Sequence, residues 1–337
     1  MKRKTLDEKL ERIAADPSCR DFILADAKDP DLAFGISAPG PRQNAKPGER
    51  TYRSMPELYE AMRQIVHQGL VDIMLMSASS NEQLTIIERI FDNSSVTPAA
   101  RANDTTDIWC GASGSYGSQP SLPFRTTTIE HIQCGRVECS VAERNIGANL
   151  GLYSMTFNND ATLDRATLEE YRKFRHEAEA KGFRHFLEVF APNAMCTRPV
   201  ANIGKYVNDC IARTLGGITR TSRPIFLKMP YFGPAAMEEL AAYDPGLIIG
   251  ILGGSSGTTM DAFQMLWEAK KYGARAALFG RKINFSEDQL AFVSYLRMLA
   301  DGVIEPTEAV KAYHDHLAKR GIVPNRSLVN DLCLTQV

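Results

Sequence analysis

Strand-sized apolar runs alternate with helix-patterned segments along nearly the whole chain, and that alternation restricts the fold more than any motif does. The runs fall at residues 22–25, 70–76, 108–109, 150–157, 183–190, 224–231, 247–252 and 276–279. Most are apolar through their middles, as strands buried on both faces are, and parallel sheets with crossover helices have such strands. Helices are expected between them over residues 56–67, 81–91, 163–181, 202–214 and 260–271, with a surface helix over 5–15 and C-terminal helices over 287–300 and 307–319. Residues 35–53, rich in Gly, Pro and Arg, read as a loop. Eight strand–helix units favour a closed α/β barrel, the (β/α)₈ or TIM barrel, over an open doubly wound sheet. No linker of biased composition interrupts them. One domain over 1–337 is therefore expected, with the barrel core at about residues 20–302.

The chain has 337 residues and a net charge of −1. That balance gives no basic surplus for nucleic acid or for an anionic membrane. The seven cysteines form no C-x-x-C pair and no zinc set, which reads as reduced thiols in a cytoplasmic protein. No apolar run approaches the roughly 20 residues of a membrane span. The basic start Met1-Lys2-Arg3-Lys4 leads into an acidic-basic helix rather than a secretory apolar core.

A barrel of this kind works at the carboxyl ends of its strands. In Pro224-Ile225-Phe226-Leu227-Lys228-Met229-Pro230-Tyr231 the prolines bracket the run and leave Lys228 at its end. Among apolar side chains an ammonium is disfavoured, and a neutral amine attacks carbonyls to form a Schiff base. The alternative is a lysine that snorkels into water. Glu188, in Phe-Leu-Glu-Val-Phe, needs a proton or a cationic partner there. On the neighbouring strand Lys228 could be that partner and Glu188 its proton shuttle; an ion pair with Arg184 or Arg223 is the structural alternative. Asp26, Lys28 and Asp29 follow the first run, and Asn158 and Asp160 the fourth. Gly253-Gly254 and Gly280-Arg281 end the last two runs, where barrels commonly cradle phosphate on backbone N–H groups.

These residues resemble a family. From about residue 22 to about 302 the chain is similar to the class I (Schiff-base) aldolases of the deoxyribose-phosphate, archaeal-type fructose-bisphosphate and tagatose-bisphosphate group. Leu227-Lys228-Met229-Pro230-Tyr231 resembles its Schiff-base strand and Phe279-Gly280-Arg281-Lys282-Ile283 its phosphate strand. Phe186-Leu187-Glu188 is similar to an acid/base strand, and Ala25-Asp26 to the end of the first strand. The resemblance implies a carbon–carbon lyase acting on a ketose phosphate without metal or other cofactor. Lys228, Glu188 and Asp26 would be catalytic. Lys28, Gly253, Gly254, Gly280 and Arg281 would bind substrate and phosphate. The partner would be a small-molecule carbonyl compound, with neither nucleic acid nor membrane, and the chain a homo-oligomer. Departures surround the substrate: Phe190-Ala191-Pro192 stands where a Tyr-Pro pair is common, Lys282 where an asparagine is, and residues 150–157 hold no lysine. A Schiff-base transaldolase, acyl-transfer enzyme or isomerase, or a non-catalytic sugar-phosphate sensor, are the alternatives.

Other signals are weaker. His314 and His316, two apart on a helix, point to different faces and do not make a metal pair. His185 reads as a core histidine. Tyr153 and Ser154 compete for one inward position, and Arg125 reads equally as a clamp on an anion or as a surface residue. Phe263, Leu266 and Trp267 read as ordinary helix packing.

Overall fold

The structure is a computed structural model of the chain; it describes residues 2–16, 18–32, 35–42, 51–109, 114–194, 199–254 and 257–335. Eight parallel strands close into a barrel: β1 (Ile23–Lys28), β2 (Ile73–Met76), β3 (Thr97–Arg101), β4 (Leu150–Thr156), β5 (Arg184–Phe190), β6 (Leu227–Met229), β7 (Ile249–Leu252) and β8 (Ala276–Phe279). Each strand pairs with the next in the chain, and β8 pairs with β1 to close the ring. The (β/α)₈ expectation holds.

Side chains alternate across a strand, so each strand feeds two cores. Ile23, Ala25, Ile73, Leu75, Leu152, Phe186, Phe226 and Leu278 point inward and fill the barrel. Leu24, Met74, Tyr153, Leu187, Leu227, Ile251 and Phe279 point outward against the helices. Phe186 and Phe226 stack at 4.5 Å between ring centroids and make the floor of the upper barrel. Leu6 and Ile13 of the helix Thr5–Ala15 join the inward core, so this helix belongs to the barrel rather than to the surface alone.

The helices follow local chemistry. Met55–Gln68 opens on a capping box: Ser54 accepts from the Glu57 N–H, and the Glu57 carboxylate accepts from the Ser54 N–H at 2.7 Å. Ala161–Ala180, Ile203–Leu215, Thr259–Lys271, Gln289–Asp301 and Pro306–Lys319 lie where the periodicity puts helices. The helix Pro234–Tyr243, after β6, was not marked by the pattern.

Two expectations change. The third strand is Thr97–Arg101, not residues 108–109. Ile108 and Trp109 lie in a turn, where Trp109 is half exposed and stacks on Tyr116 at 5.5 Å. The strand Thr-Pro-Ala-Ala-Arg hid itself because its inward and outward positions are filled by alanine, and proline argues against an interior strand. The helix expected over 81–91 begins earlier and is shorter: Ala78–Asn81, capped by Ser77, runs into a π-helical turn over Glu82–Ile87.

Candidate active site

Strand parity and register build the site. Ser154, Glu188 and Lys228 stand two residues beyond the inward-facing Leu152, Phe186 and Phe226. Ser154 is paired in register with Glu188, and Glu188 with Lys228. Three adjacent strands thus present a hydroxyl, a carboxylate and an amine in one layer above the Phe186–Phe226 floor. Arg101, two beyond the inward Ala99, brings a guanidinium into the same space.

The contacts are close and dry. Lys228 Nζ lies 2.6 Å from Glu188 Oε1. Lys228 is 6% exposed and Glu188 1%. Ser154 Oγ donates to Glu188 Oε2 at 2.5 Å. Arg101 donates through Nε to Asp29 Oδ2 at 2.6 Å and through Nη1 to Ser154 Oγ at 3.2 Å, and its Nη2 lies 3.9 Å from Glu188 Oε2. Burial depresses the Arg101 pKa, but Asp29 and Glu188 outweigh burial and leave it raised. Asn103 fixes β4 beside these groups, accepting from the Ser154 N–H at 2.6 Å and donating to its carbonyl at 2.8 Å.

This layer opens into a cavity of about 330 Å³ at the carboxyl ends of the strands. Lys228, Glu188, Arg101 and Asp29 line it, with Gly253, Gly254, Gly280 and Arg281 around the mouth. Gly250, beside Lys228 in register, lets β7 pack closely between β6 and β8: a Cβ there would sit 2.5 Å from the Leu227 carbonyl oxygen and 3.0 Å from Ala276 Cβ. Gly280 lets β8 close on β1, since a Cβ would meet the Ala27 carbonyl oxygen at 2.7 Å. Burial lowers the Arg281 pKa and the charge of Glu188 opposes it. Ser255 and Ser256, which follow Gly254 in the sequence, lie outside the described residues, as do Cys110, Gly111, Ala112, Ser113 and Cys196.

Asp26 and Lys28 do not join this layer. They share parity with the outward-facing Leu24, and Ala27 and Asp29 of the opposite parity line the cavity instead. Both are fully buried behind β1; Lys28 Nζ lies 3.1 Å from Asp26 Oδ2 and donates to Asn284 Oδ1 at 2.6 Å. Burial biases each group toward its neutral form, raising Asp26 and lowering Lys28, while each one's charge opposes the shift of the other. Their link to the cavity runs through Asn284, which also lines it.

The remaining alternatives resolve. Arg184 pairs with Asp7 at 2.6 Å and Arg223 with Asp244 at 2.7 Å, so neither holds Glu188. Ser154 takes the inward position, while Tyr153 packs on Phe174 with ring centroids 4.6 Å apart. Arg125 pairs with Glu177 at 2.5 Å and covers the Phe174 ring on the helical side. His185 shares a 2.8 Å hydrogen bond with the Tyr171 hydroxyl, and burial pushes its pKa down to about 3. His314 and His316 turn to separate partners, Asp331 and Asp288, and no group of metal-ligating side chains occurs among the described residues. No described helix is long and apolar enough to cross a membrane. Arg101 escaped the sequence reading with its strand; the one visible signal was a charge closing the run Pro98-Ala99-Ala100, before Asn103-Asp104.

No protein-family model and no curated protein sequence matches the chain. Solved structures do resemble it. An archaeal fructose 1,6-bisphosphate aldolase superposes with a TM-score of 0.60 at 15% identity, over 88% of this chain and all of that one. A fructose-1,6-bisphosphate aldolase that forms a Schiff base gives 0.59 at 17% identity, over 89% of this chain and 100% of the other. A Corynebacterium glutamicum protein gives 0.58 at 16% identity, over 89% and 94%. The chain therefore has the barrel fold of Schiff-base aldolases.

Proposed function

We propose that the protein is a class I aldolase that cleaves or forms a carbon–carbon bond of a ketose phosphate through a Schiff base on Lys228. One observation carries the reading: a buried amine 2.6 Å from a buried carboxylate, both facing a cavity at the carboxyl end of a closed barrel. The aldolase fold of the structural neighbours supports it.

The chemistry follows from the contacts. Glu188 takes a proton from Lys228, and the amine adds to the ketone carbon to give a carbinolamine. Glu188 returns the proton to the carbinolamine oxygen, which leaves as water, and the nitrogen lone pair forms the iminium. Glu188, again unprotonated, takes the proton from the hydroxyl on the far carbon of the bond to be broken; that carbon becomes the aldehyde carbonyl as the bond's electrons flow into the iminium to give an enamine. Protonation of the enamine carbon and addition of water then return the ketone and free lysine. Ser154 and Arg101 hold the second oxygen of Glu188, so its first stays aimed at the nitrogen. Gly253, Gly254, Gly280 and Arg281 anchor the phosphate. Asp26 and Lys28, facing the helical layer, take no step in this scheme.

Aldehyde release from a panel of ketose phosphates, with no acceptor added, tests the reaction. The wild-type protein is expected to release aldehyde, and Glu188→Gln to turn over about 10²–10⁴-fold more slowly, the usual range for a general acid/base. Ketose consumed only when an acceptor aldehyde is present would replace aldol cleavage by transaldol transfer. Reversible binding without turnover, unaltered in Lys228→Met, would leave a sensor.

A further inference from the structure

A second cavity, of about 550 Å³, adjoins the lumen cavity and shares Arg281 and Phe285 with it. Lys282 and Arg326 line only this second one. Among the described residues no hydrogen bond or ion pair is made by the amine of Lys282 or by the guanidinium of Arg326. Two carboxylates also line the cavity, but protein donors already hold them. Asp331 accepts from His314 Nε2 at 2.9 Å and from the Thr259 N–H at 2.7 Å. Glu287 accepts from the Tyr313 hydroxyl at 3.0 Å and from the Asn325 N–H at 2.6 Å.

We propose that this cavity is an oxyanion site, separate from the Schiff-base pocket, in which Lys282 and Arg326 bind the phosphate group of a small molecule. A partly buried ammonium that makes no direct hydrogen bond or ion pair is poorly solvated, and a dianion in the cavity would accept from both side chains at once. Burial, reinforced by the charge of Arg326, pushes Lys282 down to about 8, although Asp331, Glu287 and Asp261 all oppose the shift. Lysine and arginine divide the work as they do elsewhere, the first as a point charge and the second as a planar fork. The proposal does not depend on aldolase chemistry, because neither Lys228 nor Glu188 lines this cavity.

Lysine-resolved acylation tests it. The full chain is pulsed with acetic anhydride near pH 8, in inorganic phosphate or in sodium chloride of equal ionic strength, and the Lys282 peptide is quantified by mass. Phosphate is expected to slow acylation of Lys282 at least fivefold relative to chloride. Arg326→Gln is expected to weaken that protection at least threefold, and Lys228→Met to leave it unchanged. Equal acylation in the two salts would overturn the proposal, as would protection that survives intact in Arg326→Gln. Protection lost in Lys228→Met would place the anion in the lumen and overturn it equally.

Discussion

Two buried bases on β5 have opposite fates because they have opposite parity. Glu188 faces the lumen and meets Lys228, while His185 faces the helices, where it bonds the Tyr171 hydroxyl and packs edge-on against Phe174. Burial holds the His185 pKa near 3, against an ordinary 6.5, so its charged form belongs to the unfolded chain. Between those values the unfolded state binds a proton that the native state refuses. The histidine's contribution to stability is therefore complete above about pH 6.5 and is lost as pH falls toward 3. At 1.36 kcal/mol per pKa unit, the loss by about pH 4 has a ceiling on the order of 3 kcal/mol. His185→Gln keeps a hydrogen-bonding group for Tyr171 but does not titrate. Its urea midpoint is expected to fall less than that of the wild type between pH 6.5 and 4, and parallel curves would refute the assignment.

At the scale of the element, the short strand β6 places the amine, and Gly250 lets the neighbouring β7 pack closely against it. Gly250→Ala would push a methyl group to 2.5 Å from the Leu227 carbonyl and 3.0 Å from Ala276 Cβ. Overpacking of this kind typically costs about 1–3 kcal/mol. The variant is expected to melt several degrees lower and to lose activity beyond the loss of folded protein, because the displaced backbone carries Lys228. Wild-type melting with wild-type activity would contradict the packing argument. Elements of this sort were legible where bulky apolar residues wrote them: the run around Lys228 and the Phe-Leu-Glu-Val-Phe strand announced both the fold and the pairing of Lys228 with Glu188. β3 was not legible, because alanine and proline carry little strand signal, and Arg101 was lost with it. The strand-end rule placed Asp26 and Lys28 at the mouth, but parity turns them to the helical face. Parity could have been read from Ile23 and Ala25, had it been known which of the two faces was inward; an apolar strand buried on both sides does not say.

For the whole molecule, the closed barrel sorts its lysines by environment. Lys28 is sealed behind β1 against Asp26 and Asn284, Lys282 faces the second cavity, and among the described lysines Lys228 alone lines the lumen cavity. The Phe186–Phe226 floor and the helix Thr5–Ala15 close the lumen from below, so access to Lys228 is from the mouth beside the glycine turns. Borohydride reduction in the presence of dihydroxyacetone phosphate or a ketose phosphate, followed by peptide mass mapping, identifies the amine that forms the covalent bond. The expected result is one stable adduct on the peptide that contains Lys228, absent from Lys228→Met. No adduct on that peptide across a panel of carbonyl compounds, or an adduct on Lys28 or Lys282 instead, would contradict it.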